Sequence, residues 1–397
     1  MLSKVVIHRY RSCVDLTLDH LGPTVVLVGR NGSGKTNILK AIDWAARVGL
    51  RDEKARSAIT ANHILLEFIA NQTCYSYEID QSGYHPQAEG PFRVGLTERF
   101  RRLSGDDQFL ELAVREGESV RLTDGRKFKI DPQSPLLGFL LAYLPPDDPL
   151  LISMREVATF LVGIRYEPFD EPNVSSPVND LVRADSLNRW VTRLASPDRA
   201  SDNVLFKLIH LSLTDPATLE EIQSLLGSEG LGLISDIQIG TLKQGLLFGE
   251  ERSDSTEPAY YRIRFSPLQE GKATRQRYFA FSGLSLGTRR IIRMIVSMIF
   301  DKSTVMLIEH PEDGIHRGLS RQVFSRLKSY TDPAQIIATS HSELVFDMLD
   351  PSEVRLVAMV DGVTRARPLS AEEIGRARDY INESGRLSEF LEINEEM

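Results

Sequence analysis

The chain has 397 residues, with 47 Lys and Arg against 55 Asp and Glu, for a formal net charge of −8. That balance gives no global attraction to polyanions, so any nucleic-acid contact needs a local basic surface. Only Cys13 and Cys74 are present among the cysteines, which excludes a disulfide framework, and the two cysteines and eight histidines show no tight metal-ligand spacing.

In chain order, the opening MLSKVVIHRYRS has no long apolar core, and no signal peptide is expected from it. The cysteine usage fits a reducing, cytoplasmic setting. Strands are predicted over Lys4 to His8, Val14 to Leu18 and Val25 to Val28, then a glycine-rich loop and a helix from Asn37 to Ala46. His63 to Ile69 and Thr73 to Ile79 alternate around Ala70-Asn71-Gln72 and read as a hairpin. From about Pro91 the pattern reads as a mainly helical arm, with helices at Leu136 to Leu144, Leu150 to Phe160, Ser186 to Ala195 and Val204 to Leu213. Leu136 to Leu144 is the densest apolar run; it falls short of the roughly twenty residues a bilayer requires and is closed by Pro145-Pro146, so it reads as a buried helix.

Strand character returns after Gly232, at Ile234 to Ile239, Gly245 to Phe248 and Tyr260 to Phe265. From Tyr278 onward helix and strand alternate: Gly287 to Phe300, Val305 to Ile308, Arg317 to Tyr330, Gln335 to Thr339 and Ser342 to Met348. Val354 to Val360, Val363 to Pro368 and an acidic helical tail from Ala371 follow. The expected division is residues 1–92, an arm over 93–277 with β-strands near 232–265, and residues 278–397. Alternation of this kind predicts an α/β fold whose ligands gather at the carboxyl ends of parallel strands. No repeat, low-complexity tract or long heptad run is present.

Gly29-Arg30-Asn31-Gly32-Ser33-Gly34-Lys35-Thr36 stands between an apolar strand and a helix that begins near Asn37. Its glycines let successive N–H groups and the helix N-terminus face a phosphate, Lys35 reaches the β/γ-phosphates and Thr36 can hold Mg²⁺. The apolar run Val305 to Ile308 ends in Glu309-His310-Pro311-Glu312-Asp313-Gly314, which delivers Glu309 at a strand tip as an anchor for Mg²⁺. His341 follows a second apolar strand, where an imidazole can hydrogen-bond a γ-phosphate or the attacking water. Ser285 and Gly287 open a helix and present a hydroxyl and N–H groups at its N-terminus.

Taken together, VGRNGSGKT, LSLGTRR, VMLIEHPEDGIH and ATSHS, in that order, resemble the SMC-like and ABC-type ATPases. The likeness is greatest to the AAA-family branch that includes RecF, the overcoming-lysogenization-defect nucleases and the ATPase subunits of Septu, PARIS and retron antiphage systems. It covers both ends of the chain and extends to VVIHRYRSCVDLTL, where Arg11 would lie near the nucleotide. The resemblance implies an ABC/SMC-head-like P-loop NTPase fold: a largely parallel sheet covered by helices, with a mainly helical arm and added β-strands. It implies ATP and Mg²⁺ as cofactors, bound by Gly29 to Asn37 with Arg11, and LSLGTRR as the signature whose Ser285 and Gly287 contact ATP held by a second copy. That arrangement is a homodimer with ATP sandwiched between P-loop and signature motif. No Q-loop glutamine is assignable.

The family has Asp-Glu at the strand tip, whereas this chain has Glu309-His310. Three readings are open: His310 orients the water, Glu312 supplies the carboxylate, or hydrolysis is slow and the ATP-bound dimer is the functional state; the last is preferred. The segment after His341 is too short for the Toprim nuclease of the lysogenization-type relatives, so an effector is expected on another polypeptide. The leading role is an ATPase scaffold of a prokaryotic antiphage complex controlling a nuclease or toxin. The alternative is a RecF-like ATPase of DNA maintenance, which needs a basic face; Arg99, Arg101, Arg102, Arg126, Lys127 and Lys129, with Arg289 and Arg290, are the candidates for it.

Overall fold

The computed structural model describes residues 1–50, 61–82, 95–131, 134–168, 181–194, 203–242, 260–268, 277–329 and 334–395. In chain order the strands are β1 (Leu2–Tyr10), β2 (Cys13–Leu18), β3 (Thr24–Val28), β4 (Asn62–Ala70), β5 (Thr73–Ser82), β6 (Gly95–Leu103), β7 (Phe109–Glu116), β8 (Ser119–Leu122) and β9 (Lys127–Lys129). They continue with β10 (Ile164–Glu167), β11 (Leu181–Arg183), β12 (Ile234–Leu242), β13 (Tyr260–Pro267), β14 (Val305–Glu309), β15 (Gln335–Ser340), β16 (Val354–Val360) and β17 (Val363–Pro368). The helices are α1 (Lys35–Gly49), α2 (Leu136–Tyr143), α3 (Pro149–Val162), α4 (Ala184–Leu194), α5 (Val204–Thr214) and α6 (Pro216–Leu226). After these come α7 (Leu286–Phe300), α8 (Arg317–Ser329), α9 (Glu343–Phe346), α10 (Ala371–Ser384) and α11 (Leu387–Glu395).

Two compact units result: residues 1–169, 303–312 and 324–397 form the first, and residues 170–302 and 313–323 the second. The first is built on a fourteen-stranded sheet in the order β10-β14-β15-β3-β16-β17-β2-β1-β4-β5-β6-β7-β8-β9. The second holds a three-stranded antiparallel sheet, β11-β13-β12.

At one end of the large sheet, β10, β14, β15, β3 and β16 run parallel. All five residues of β3 and of β14 are buried, as are the six of β15, and their sequences are accordingly continuous apolar runs instead of alternating ones. The expectation of a largely parallel sheet holds for this end. Past β17, which pairs parallel with β2, every pairing is antiparallel. The predicted hairpin of β4 and β5 closes at the pair Ala70↔Thr73, leaving a two-residue turn at Asn71 and Gln72 with φ of 45° and 66°. Positive φ at both residues is what matches the turn to the right-handed twist of its strands.

The mainly helical stretch expected from Pro91 needs correction over residues 95–129, which form β6 to β9 of this sheet. Helix begins only with α2, so the boundary expected at residue 92 does not mark the end of the first unit. Arg115 and Glu98 are fully buried and paired at 3.0 Å, which puts charges on the inner face and masks the strand alternation. Arg115 also donates to the carbonyls of Gly117 and Ser134, and Glu98 accepts from the Leu136 amide and the Tyr77 hydroxyl. The predicted strand at Gly245 to Phe248 lies outside the described residues.

The apolar core of the first unit gathers α1, α2 and α3 against this sheet, with Phe68 stacked on Phe160 and Tyr77 on Phe100. Gln335 joins β15 to the start of the chain: its amide accepts from the Leu2 N–H and donates to the carbonyls of Leu2 and Gly22. In the second unit, Lys207 of α5 makes a buried ion pair of 2.6 Å with Asp301, and Trp190 packs on Phe206 and Phe300. Among the described residues, no helix is long and apolar enough to cross a membrane.

Candidate functional site

The glycine-rich loop leaves the carboxyl end of β3 and enters α1 at Gly34, whose φ is +99°. A Cβ at Gly34 would overlap the Thr364 side chain, and one at Gly29 would overlap the Val357 carbonyl oxygen, so the flanking strands β16 and β17 dictate glycine at both places. Gly32, at φ +82°, meets nothing and is required by its backbone alone. No side chain caps α1, and its first turn carries no acid. The start of the helix therefore carries neither a side-chain cap nor a negative charge of its own, and the dipole there favours an anion.

Lys35 is buried, and its ammonium donates to the carbonyls of Gly29 at 2.6 Å and Arg30 at 3.0 Å. The cation is thus folded over the mouth of the loop. The Ser33 hydroxyl is buried without a hydrogen-bond partner, an orphaned polar group on the same loop. Arg30 and Asn31 are exposed at the tip, and Thr36 is half-buried on the first turn of α1.

Arg11, remote in sequence, is brought to this helix: its guanidinium donates to Asn37 Oδ1 at 3.3 Å. Asn37 in turn donates to the Ser12 hydroxyl at 2.8 Å, and Ser12 contacts Thr364 at 2.7 Å. Sequence reasoning missed Ser12 and Thr364, whose contact depends on β17 running beside β2; no local signal marks it.

Glu309 ends β14. The parallel register pairs Glu309 with Thr339 and Ser340 with Val28, so Glu309 and the loop share one end of the sheet, two strands or about 10 Å apart. Glu309 is buried and accepts a 2.7 Å hydrogen bond from the Tyr166 hydroxyl. Burial, and next the bond to the carboxylate, push the Tyr166 phenol far above its ordinary range, so it remains a donor. Tyr166 too was missed from sequence, because β10 is only four residues long.

His310 has φ of 45°, and its N–H donates to the Thr339 carbonyl and hydroxyl. This left-handed backbone turns its ring toward His341, and the two Nδ1 atoms lie 3.0 Å apart. Glu312 lies beneath them: one carboxylate oxygen accepts from Ser340 Oγ at 2.7 Å and from the His341 N–H at 3.4 Å, and it lies 3.8 Å from His310 Nδ1. The other carboxylate oxygen, Oε2, is buried without a hydrogen-bond partner. Burial acts to raise the Glu312 carboxyl, but the nearby His310 imidazole and the Ser340 hydroxyl outweigh it and hold the group below its usual range. Strand register brings together two histidines separated by 31 positions, a proximity that sequence spacing does not show.

Ser285 and Gly287 fall in the second unit. Ser285 caps α7, accepting from the Thr288 N–H at 3.1 Å, and its hydroxyl contacts that of Thr288. A Cβ at Gly287 would overlap the Gly314 carbonyl oxygen, so local packing by itself explains this glycine. Arg290 is buried and donates to the Asp313 carbonyl, while Arg289 reaches the Ser282 carbonyl. Of the other candidate basic residues, Arg101 and Arg99 lie against Glu78, at 2.7 Å and 3.6 Å, and Arg126 bridges Asp124 and Asp148.

A family model described as "AAA domain, putative AbiEii toxin, Type IV TA system" matches residues 25–135 and 187–347, more than half of the chain. No curated protein matches it. Among solved structures, it is similar to an Smc head bound to the C-winged helix domain of ScpA, at 14% identity over 94% of this chain and 99% of that one, with a TM-score of 0.45. It is also similar to the Smc head domain with an extended coiled coil bound to the C-terminal domain of ScpA derived from Pyrococcus furiosus, at 12% identity over 96% and 99%, with a TM-score of 0.44. The SMC head domain from Thermotoga maritima matches at 15% identity over 93% and 99%, with a TM-score of 0.36.

Proposed function

Because the chain belongs to the AAA-domain family described as putative AbiEii toxin, Type IV TA system, we propose that it binds ATP with Mg²⁺ at the loop Gly29 to Thr36 and hydrolyses it slowly. The observation that carries this reading is the unfinished state of the loop: an uncapped helix start, the Lys35 ammonium at its mouth and an orphaned Ser33 hydroxyl. These are the groups a polyphosphate requires, and the residues fit it. Thr36 and Glu309 would hold the Mg²⁺, which when bound neutralises the charge that develops on the phosphates.

The roles of the remaining residues follow from their positions. Arg11, held by Asn37, adds positive charge beside the first turn of α1. Tyr166 keeps Glu309 aimed from the edge strand. Three groups gather where a base belongs, and each is already engaged: His310 with His341, and Glu312 with Ser340. A carboxylate held below its usual range and hydrogen-bonded is a weak proton acceptor, which supports slow turnover.

The proposal extends to assembly and role. ATP held in the loop of one copy would be covered by the α7 N-terminus of another, around Ser285 and Gly287, so that nucleotide occupancy favours a two-fold dimer. The dimer would act as a scaffold controlling a separate effector, a nuclease or toxin; the family description, a putative toxin of a TA system, supports a toxin-system setting and names no separate effector. The DNA-maintenance alternative loses some support because Arg99 and Arg101 already lie against Glu78, and Arg126 against Asp124 and Asp148.

Equilibrium binding of Mg·ATP tests the first part. Lys35→Ala is expected to weaken it at least about 100-fold, or roughly 2.7 kcal/mol, and equal affinity of the variant would contradict the reading. Light scattering tests the second: ATP raises the mass of the wild type and leaves Ser285→Arg unchanged, while equal masses with and without ATP would refute ATP-linked dimerisation.

A further inference from the structure

Beyond nucleotide binding, we propose that His310 and His341, with the Glu312 carboxylate beside His310, form a site for a divalent transition-metal ion, separate from the Mg²⁺ position proposed at Thr36 and Glu309. All three come from the tips of two adjacent parallel strands, β14 and β15, and from the loop between β14 and α8. The Nδ1 atoms of His310 and His341 are 3.0 Å apart with their rings inclined at 60°. Two ligand atoms at bond lengths of about 2.0–2.1 Å from one ion stand about 2.8–3.4 Å apart for angles from 90° to the tetrahedral value, so this pair already has the spacing of a chelate. The nearer Glu312 oxygen is 3.8 Å from His310 Nδ1, slightly wider than a cis edge, and its partner oxygen Oε2 is buried with no hydrogen-bond partner. A buried carboxylate oxygen left in that state is an unmet acceptor, which an ion beside it would satisfy.

The ligands are held in place before any ion arrives. His310 is fixed by two hydrogen bonds from its N–H to Thr339, and Glu312 by Ser340 Oγ and the His341 N–H. Such outer contacts set ring orientation and carboxylate direction at metal centres. Two imidazoles and one carboxylate select Zn²⁺, Co²⁺, Ni²⁺ or Fe²⁺ over Mg²⁺, which prefers oxygen ligands and keeps its waters. Coordination through Nδ1 places the remaining proton of each ring on Nε2, so His341 still offers an N–H donor outward.

The test is a titration of the nucleotide-free full-length chain with Co²⁺, in excess Mg²⁺ to occupy oxygen sites, read by visible absorption and repeated with Zn²⁺ by calorimetry. One Co²⁺ per chain is expected for the wild type. Binding is expected to be lost in His310→Ala and in His341→Ala, and to weaken at least tenfold in Glu312→Gln, by analogy with the effect of disturbed metal surroundings, about 10–100-fold. His341 is exposed, so its variant keeps the test valid if His310→Ala fails to fold. Lys35→Ala is expected to bind Co²⁺ normally, which separates this result from the fate of the nucleotide reading. His63→Ala controls for a second close histidine pair among the described residues, His8 and His63, whose ring centres are 4.3 Å apart. No saturable Co²⁺ binding by the wild type, binding that survives both strand-tip histidine substitutions, or binding lost in His63→Ala would overturn the proposal.

Discussion

Two polar clusters of the fourteen-stranded sheet, one in each half, are completed to different degrees. In the antiparallel half, Glu98 and Arg115 are fully buried yet satisfied by each other and by backbone, and Glu78 is enclosed by His63, Arg101 and Arg99. In the parallel half, Ser33 and Glu312 each keep a buried oxygen without a partner, and α1 starts uncapped. Buried polar groups are costly unless paired, so completed networks signal structure and incomplete ones signal a ligand. The comparison teaches that the Glu98–Arg115 cluster is complete within the chain, whereas the groups around Ser33 and Glu312 are not, which is the pattern the proposed nucleotide site requires.

The largest effect that tests this contrast is expected at Glu98. Glu98→Ala strands the Arg115 guanidinium in the core, and urea denaturation should show a loss of about 3–5 kcal/mol. ATP affinity of the folded fraction should stay at the wild-type value; a change in affinity without a change in stability would break the contrast.

A smaller effect follows from acid. His63 first, with Arg101 and Arg99, holds the Glu78 carboxyl down at about 2, below its ordinary value of 4.5. A depressed folded-state pKa contributes stability that is fully present above the unfolded value and is lost as pH falls toward the folded one. The contribution should therefore fade between about pH 4.5 and pH 2, by about 1–2 kcal/mol once solvent screening is allowed for. Thermal melts of wild type and Glu78→Gln should converge across that window, and parallel curves would show that the network contributes nothing.

The smallest stability effect is expected at the parallel end. Ser33→Ala removes an unpartnered buried hydroxyl, so stability should change by no more than about 0.5 kcal/mol, in the favourable direction, while ATP affinity falls. A clear loss of stability would mean that the hydroxyl has a structural partner.

How much of this was legible in sequence follows the same contrast. The loop Gly29 to Thr36 is contiguous, and its glycines, lysine and threonine declare themselves between an apolar strand and a helix. Glu309 and His341 were visible because each follows a buried apolar run. The pairing of His310 with His341 was not, since it depends on parallel register and on a positive φ at His310. Tyr166 was hidden in a short edge strand. Residues 95–129 were obscured by Glu98 and Arg115, charges that face inward and interrupt the apolar alternation of β6 and β7.

The central claim, that the loop and the tip of β14 serve one nucleotide, is tested most directly by the Mg²⁺ dependence of ATP binding in the wild type and in Glu309→Gln. The account predicts that Mg²⁺ tightens binding to the wild type, that Glu309→Gln loses most of this gain, and that the Mg²⁺-free affinities of the two proteins agree. A Glu309→Gln variant that responds to Mg²⁺ as the wild type does would contradict it.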